Sequence, residues 1–143
     1  MTLDIVNLQR KVPVDIESLR KFVARVSAID EAAGKTFSVA LVPDKRMREL
    51  NKLFRGKDGT TDVLSFPYES SGGQFDDQPD FLGDIVISAE QAQKQADENG
   101  LTLDSELKEL ILHGVLHLAG HDHETDDGEM NQRELDLRES LGI

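Results

Sequence analysis

All four histidines of this chain fall within eleven consecutive positions, HGVLHLAGHDH at residues 113–123. His113 and His117 are four apart. On a helix of ~3.6 residues per turn their imidazoles therefore project about 40° apart around the axis and can share one cation. Gly120 follows about one turn later, where a helix can end, and the reversal can return His123 to the same point as a third ligand. Three nitrogen ligands leave one tetrahedral position for water, the arrangement of a catalytic zinc site rather than a closed structural one. Histidine without cysteine suits zinc best, with nickel, cobalt, manganese and iron as other candidates. The expected centre is one Zn2+ on His113, His117 and His123 plus a water. The competing reading is that these are core or surface histidines with no metal.

The spacing HxxxHxxGxxH is shared with the metzincin proteases, where a glutamate directly after the first histidine acts as general base. Here that position is Gly114, so the ligand spacing is kept and the protease base is not. His121 is open to use as a fourth ligand, a proton shuttle or a substrate contact, and equally to being an exposed loop residue. Asp122 could orient a ligand histidine or cap the turn. Glu109 and Glu106, one and two turns before His113, read as solvated helix charges.

A second constellation lies in the basic island DKRMRELNKLFRGKD, residues 44–58, with six basic and three acidic side chains on a chain of net charge −12. Such an island can mark a site for an anionic ligand, or be a solvated amphipathic helix. Arg55 and Lys57 flank a glycine in the loop that follows, where backbone amides and two cations could hold a phosphate. The plainer alternative is a pair of solvated loop cations. Thr61 and Asp62 read as residues that cap and fix this loop. Ser65 lacks the glycines of a nucleophile elbow and reads as an alternating strand residue.

Positioning these groups requires an ordered set of elements. Residues 3–9 read as a strand, and a helix follows with Ile16, Leu19, Phe22, Val23, Val26 and Ile29 at helical spacing, stopped by Gly34. TFSVALVP is a strand; a helix opens at Pro43 and Asp44 and runs to about Phe54. DVLSFPY and LGDIVIS are two further strands, separated by a Gly-, Ser- and Asp-rich segment at 69–80 that reads as a mobile surface loop. Ser88 and Gln91 have capping-box spacing for a short helix ended by Gly100. Asp104 is the expected N-cap of a helix from Ser105 to about Ala119, apolar around most of its circumference and so buried and central. A last helix is expected over Asp127–Leu141. The sum is an α+β fold in one domain, residues 1–143: a four-stranded mixed sheet packed with about five helices, covered mainly on one face, with the metal site at the end of the central helix.

Composition bounds the setting. At 38% hydrophobic and 31% charged, the 143 residues suit one globular domain. No apolar run nears the ~20 residues that span a bilayer, and the first residues lack a signal-peptide layout. With no cysteine, disulfides and thiolate ligands are excluded and nothing hints at secretion, so a cytoplasmic protein is expected. The acidic balance argues against a general nucleic-acid coat.

HGVLHLAGHDH, FRGKDGTTDVLSFP and FLGDIVIS, in this order and spacing, resemble the YbeY family of bacterial rRNA-maturation endoribonucleases over essentially the whole chain. The resemblance implies a single-strand-specific, zinc-dependent endoribonuclease. Its expected roles are 3′-end processing of small-subunit 16S rRNA in late ribosome maturation and ribosome quality control. It assigns His113, His117 and His123 as zinc ligands and Arg55 to a basic cleft beside the metal. Expected partners are ribosomal RNA and the ribosome, with ribosomal proteins or an assembly GTPase as further candidates and no membrane. Many family members carry proline where this chain has Thr60, and tyrosine where it has His121. Two competing functions stand beside this one. The first is a zinc hydrolase of another substrate such as a peptide or ester. The second is a non-catalytic ribosome assembly factor with a structural metal.

Overall fold

The computed structural model describes residues 5–68, 80–121 and 126–143. In chain order the elements are β1 (Ile5–Asn7), α1 (Ile16–Val26), β2 (Thr36–Val42), α2 (Asp44–Arg55), β3 (Val63–Pro67), β4 (Phe81–Ser88), α3 (Ala89–Asn99), α4 (Leu103–Leu118) and α5 (Glu129–Leu141). The strands form one sheet in the order β1-β2-β4-β3. β1 and β2 run parallel, as do β2 and β4, while β3 pairs antiparallel with β4 and is an edge strand. The mixed four-stranded α+β fold expected from the sequence is the one observed.

Strand alternation divides the side chains between two faces. Val39, Leu41, Ile85 and Ile87 point into the main core, with Leu19, Phe22 and Val23 of α1 and Leu107, Ile111 and Val115 of α4. Each such fully buried side chain contributes about 1.5–3 kcal/mol of transfer free energy. On the opposite face Val42, Leu64 and Met47 form a smaller cluster beneath α2, with Phe66 packed against it. The sheet is therefore covered mainly, but not only, on the α4 face.

Three boundaries differ from the sequence expectations. α1 ends at Val26, well before Gly34, because the chain tightens: Ala28 and Ile29 donate to Arg25 and Val26 three residues back, at 3.1 Å each. The resulting turns still bury Ile29 and Ala32, which explains why the apolar spacing runs past the helix end. α4 is capped by Thr102, whose Oγ1 accepts from the Ser105 amide at 3.1 Å, and not by Asp104. Asp104 lies in the first turn, paired with Lys108 at 2.8 Å and accepting from Ser18 Oγ of α1 at 3.1 Å. The last helix starts at Glu129 rather than Asp127. Ser88 caps α3 as the spacing predicts, with Oγ accepting from the Gln91 amide at 3.3 Å. The anticipated loop at 69–79 lies outside the described residues, as do Asp122 and His123.

Two glycines set how closely the elements approach. A Cβ on Gly114 would stand 2.9–3.0 Å from three side-chain atoms of Ile85, so α4 can lie on β4 only because this position is bare. Gly83 in β4 has φ +144°, and a Cβ there would stand 2.2 Å from the Phe66 carbonyl oxygen across the ladder.

Candidate metal centre and its cleft

α4 carries His113 and His117 to the sheet's β3 end, one helical turn apart. Their Nε2 atoms lie 3.0 Å from each other, and the ring centroids are 4.6 Å apart. The convergence expected from their four-residue spacing is thus present. His113 Nδ1 lies 3.0 Å from Oε1 of Glu134 on α5. With that carboxylate ionised, Nδ1 carries the proton and donates, which leaves the Nε2 lone pair facing His117.

Glu134 is buried, at 8% exposure. Burial works against its charge, but the hydrogen bond from His113, with the Arg138 guanidinium beside it, outweighs that and holds the carboxyl below its ordinary range. Arg138 reaches Glu134 and Glu109 at 3.5 Å each. Glu134 was not singled out from the sequence, although a signal existed. It occupies a position of the buried stripe Met130, Glu134, Leu137, Leu141, where an apolar side chain would be the ordinary choice. Glu106 corrects a second expectation: it is 5% exposed rather than solvated. Burial first, then the charges of Glu109 and Asp62, raise its pKa.

Arg55 is the last residue of α2, and Gly56 at φ 65° turns the chain there in the left-handed region. The Gly56 and Lys57 amides donate to the Lys52 and Asn51 carbonyls at 3.0 and 3.4 Å. They therefore cap the helix and do not form the anion-binding loop considered from the sequence. The cations are what this loop offers. It is held in place by Asn51 Nδ2, which donates to the Gly59 carbonyl at 3.2 Å, and by Thr60 Oγ1, which donates to Asp44. Asp62 fixes the entry to β3, accepting from the Val63 amide at 2.8 Å.

Arg55, Thr61, Asp62, Ser65, His113 and His117 line one cleft of about 520 Å³. The two motifs, nearly sixty residues apart in the chain, thus meet at a single opening. Lys57 is exposed and is not among the described residues lining it. His121 lies elsewhere: its Nε2 is 3.3 Å from Glu31, which Arg133 of α5 also grips through two contacts of 2.7 and 2.8 Å. The Arg133 hydrogen bonds, against the opposing effect of burial, bring Glu31 down to about 2. The turn that precedes His123 is thereby tied both to the segment after α1 and to α5.

The donor set fits a borderline divalent ion. Two imidazole nitrogens 3.0 Å apart approach the edge of a tetrahedron with metal–nitrogen bonds of about 2.0–2.1 Å. A carboxylate on the far nitrogen of a ligand histidine is the usual outer support of such centres. Among the described residues, no cluster of three or more histidine, aspartate and glutamate side chains completes a metal site, and His123 lies outside them.

A mixed-sheet α+β domain, with a histidine pair on its central helix and an arginine brought to it around an edge strand, is the class these features define. A sequence model of the endoribonuclease YbeY family matches residues 4–142. Proteins named endoribonuclease YbeY resemble the chain in Nautilia profundicola at 47% identity (76% of this chain, 74% of that one) and in a Sulfurovum species at 40% (94% and 88%). The relative of the same name in Bacillus velezensis is 37% identical over 100% of this chain and 97% of its own. The solution structure of TM1509 from Thermotoga maritima superposes with a TM-score of 0.65 at 30% identity, covering 96% of this chain and 88% of that one. The chain belongs to the endoribonuclease YbeY family.

Proposed function

We propose that this chain is a zinc-dependent, single-strand-specific endoribonuclease. Its place is late ribosome maturation, at the 3′ end of small-subunit 16S rRNA, and ribosome quality control. The observation that carries this reading is the shared cleft: Arg55 and the His113–His117 pair open onto one cavity. Family membership supplies the substrate class, RNA. The partners of this reading are the ribosome and, beside it, ribosomal proteins or an assembly GTPase, in the cytoplasm.

In this reading His113 and His117, joined by His123, would hold one zinc ion, and Glu134 fixes the His113 tautomer. When bound, the ion supplies Lewis acidity at the phosphodiester. Arg55 binds the scissile phosphate and stabilises charge growing on its oxygens, while Lys57 holds the chain of phosphates outside the cleft. His121, held by Glu31, ties the end of α4 to the segment after α1. Gly114 lies against Ile85 with no room for a glutamate, so the position that supplies the base in metzincins is closed here.

The test is cleavage of a 5′-labelled single-stranded rRNA fragment by chelator-stripped protein, before and after zinc is restored. The reading expects loss and recovery of cleavage. Undiminished cleavage by metal-free protein contradicts it. A 2′,3′-cyclic phosphate on the product identifies the ribose 2′-hydroxyl as nucleophile, whereas a 5′-monophosphate paired with a 3′-hydroxyl identifies water.

A further inference from the structure

Just outside the cleft, two apolar side chains face water. Leu53 and Phe54, at 73% and 60%, are among the most exposed large hydrophobics of the described residues, matched only by Leu8 at 60%, and are consecutive on the last turn of α2. Phe54 does not hang loose. Its ring meets Phe66 of β3 edge to face, with centroids 5.0 Å and planes 69° apart. The orientation is set while much of the ring stays open.

The charges around it are not balanced. Arg46, Arg48 and Lys52 pair with Glu49, Asp44 and Asp58. Lys45, Arg55 and Lys57 have no carboxylate within 4.0 Å among the described residues. Arg55 and Lys57 follow Phe54 directly at the end of α2. Ser65 and Pro67 of β3 face the cleft and Phe66 faces away, so Phe54 stands across the edge strand from the histidine pair. Arg55 bridges the two sides.

Resting on the reading of the cleft as an RNA-cleaving site, we propose that Phe54 is a base-stacking platform. It takes one unpaired base next to the phosphate held at Arg55, and Lys57 holds the neighbouring phosphate. An aromatic face accepts any base, because every base has a π-face, and stacking contributes about 1–3 kcal/mol per base. A base inside a duplex has both faces covered by its neighbours and cannot reach the ring. The platform thus gives single-strand preference a physical source in a chain with few aromatics, and the unpaired cations match the charge of the strand it would hold.

The test uses the purified full chain and a 2′-O-methyl RNA octamer whose integrity is checked after each titration, with binding read by anisotropy. Phe54→Ala should weaken binding by 5- to 100-fold, Phe54→Trp should keep it within about threefold, and Leu53→Ala should change it less than twofold. An abasic nucleotide placed along the octamer should, at one position, weaken wild type by a factor like that of Phe54→Ala and leave the variant unaffected. Phe54→Ala binding within twofold of wild type, with the same abasic profile, overturns the platform while wild-type cleavage of single-stranded rRNA leaves the RNA reading standing. Failure of wild type to bind the octamer or cleave rRNA removes both. Equal losses from Leu53→Ala and Phe54→Ala, or a self-association that Phe54→Ala abolishes, reassign the patch to a protein surface and overturn the proposal.

Discussion

At the scale of single residues, the site rests on pairs that distance in sequence conceals. Glu134 and His113 are 21 positions apart and touch because α5 crosses α4. If Glu134 sets the tautomer of a ligand histidine, Glu134→Ala should weaken zinc binding about 10–100-fold. Glu134→Gln, which can still accept from Nδ1, should lose less; competition with a chromophoric chelator measures both. The spacing of His113 and His117 was readable because helix geometry alone brings them together. Their carboxylate partner was not, since no local rule links α5 to α4. Gly114 shows the reverse case. From sequence it marks a missing side chain; in the fold it marks a contact. Gly114→Ala gains helix propensity of up to ~1 kcal/mol but drives a methyl into Ile85, and overpacking of that kind costs typically 1–3 kcal/mol. Urea denaturation should therefore show the variant no more stable than wild type and up to about 2 kcal/mol less so.

At the scale of elements, the tie between Glu31, Arg133 and His121 joins the segment after α1, α5 and the turn after α4. Sequence periodicity carried α1 past its end because Ile29 and Ala32 remain buried, and that extension hid Glu31 inside an expected helix. Its role emerges only once the chain tightens at residue 28. Glu31 has its pKa lowered from 4.5 to about 2, mainly by the Arg133 hydrogen bonds against the opposing effect of burial. The charged form is thus the one that stabilises the fold. Its contribution is complete above about pH 5 and is lost as pH falls from there through 2. Glu31→Gln should cost roughly 1.5–3 kcal/mol at pH 7. The gap between wild type and variant, followed by denaturation at successive pH values, should close towards pH 2. A gap that stays constant across that range would show that the Glu31 charge is not what holds these elements together.

At the scale of the whole molecule, an acidic protein presents a basic island at one edge of its sheet. Charge along the chain marked the island, which folds as α2 and the loop after it, and the strand and helix patterns yielded the mixed sheet. The loop chemistry was less legible, because whether the amides of Gly56 and Lys57 face a ligand or cap α2 depends on the turn geometry. With the amides occupied, phosphate affinity falls to the cations. Lys45, Arg55 and Lys57 of the island, with no carboxylate within 4.0 Å among the described residues, and a coefficient of about 0.7 per phosphate on single strands give a slope near −2 for log affinity against log salt. Arg55→Ala should reduce its magnitude by about 0.7, as titrations of the 2′-O-methyl octamer at several salt concentrations would register. The central claim, that a histidine-held metal and Arg55 act on one phosphodiester, is tested most directly by comparing wild type, His117→Ala and Arg55→Ala. Zinc content and cleavage of an rRNA fragment are measured on the same preparations. The account predicts that His117→Ala loses both, whereas Arg55→Ala keeps zinc and loses cleavage. Full cleavage by His117→Ala without zinc, or by Arg55→Ala, would contradict it.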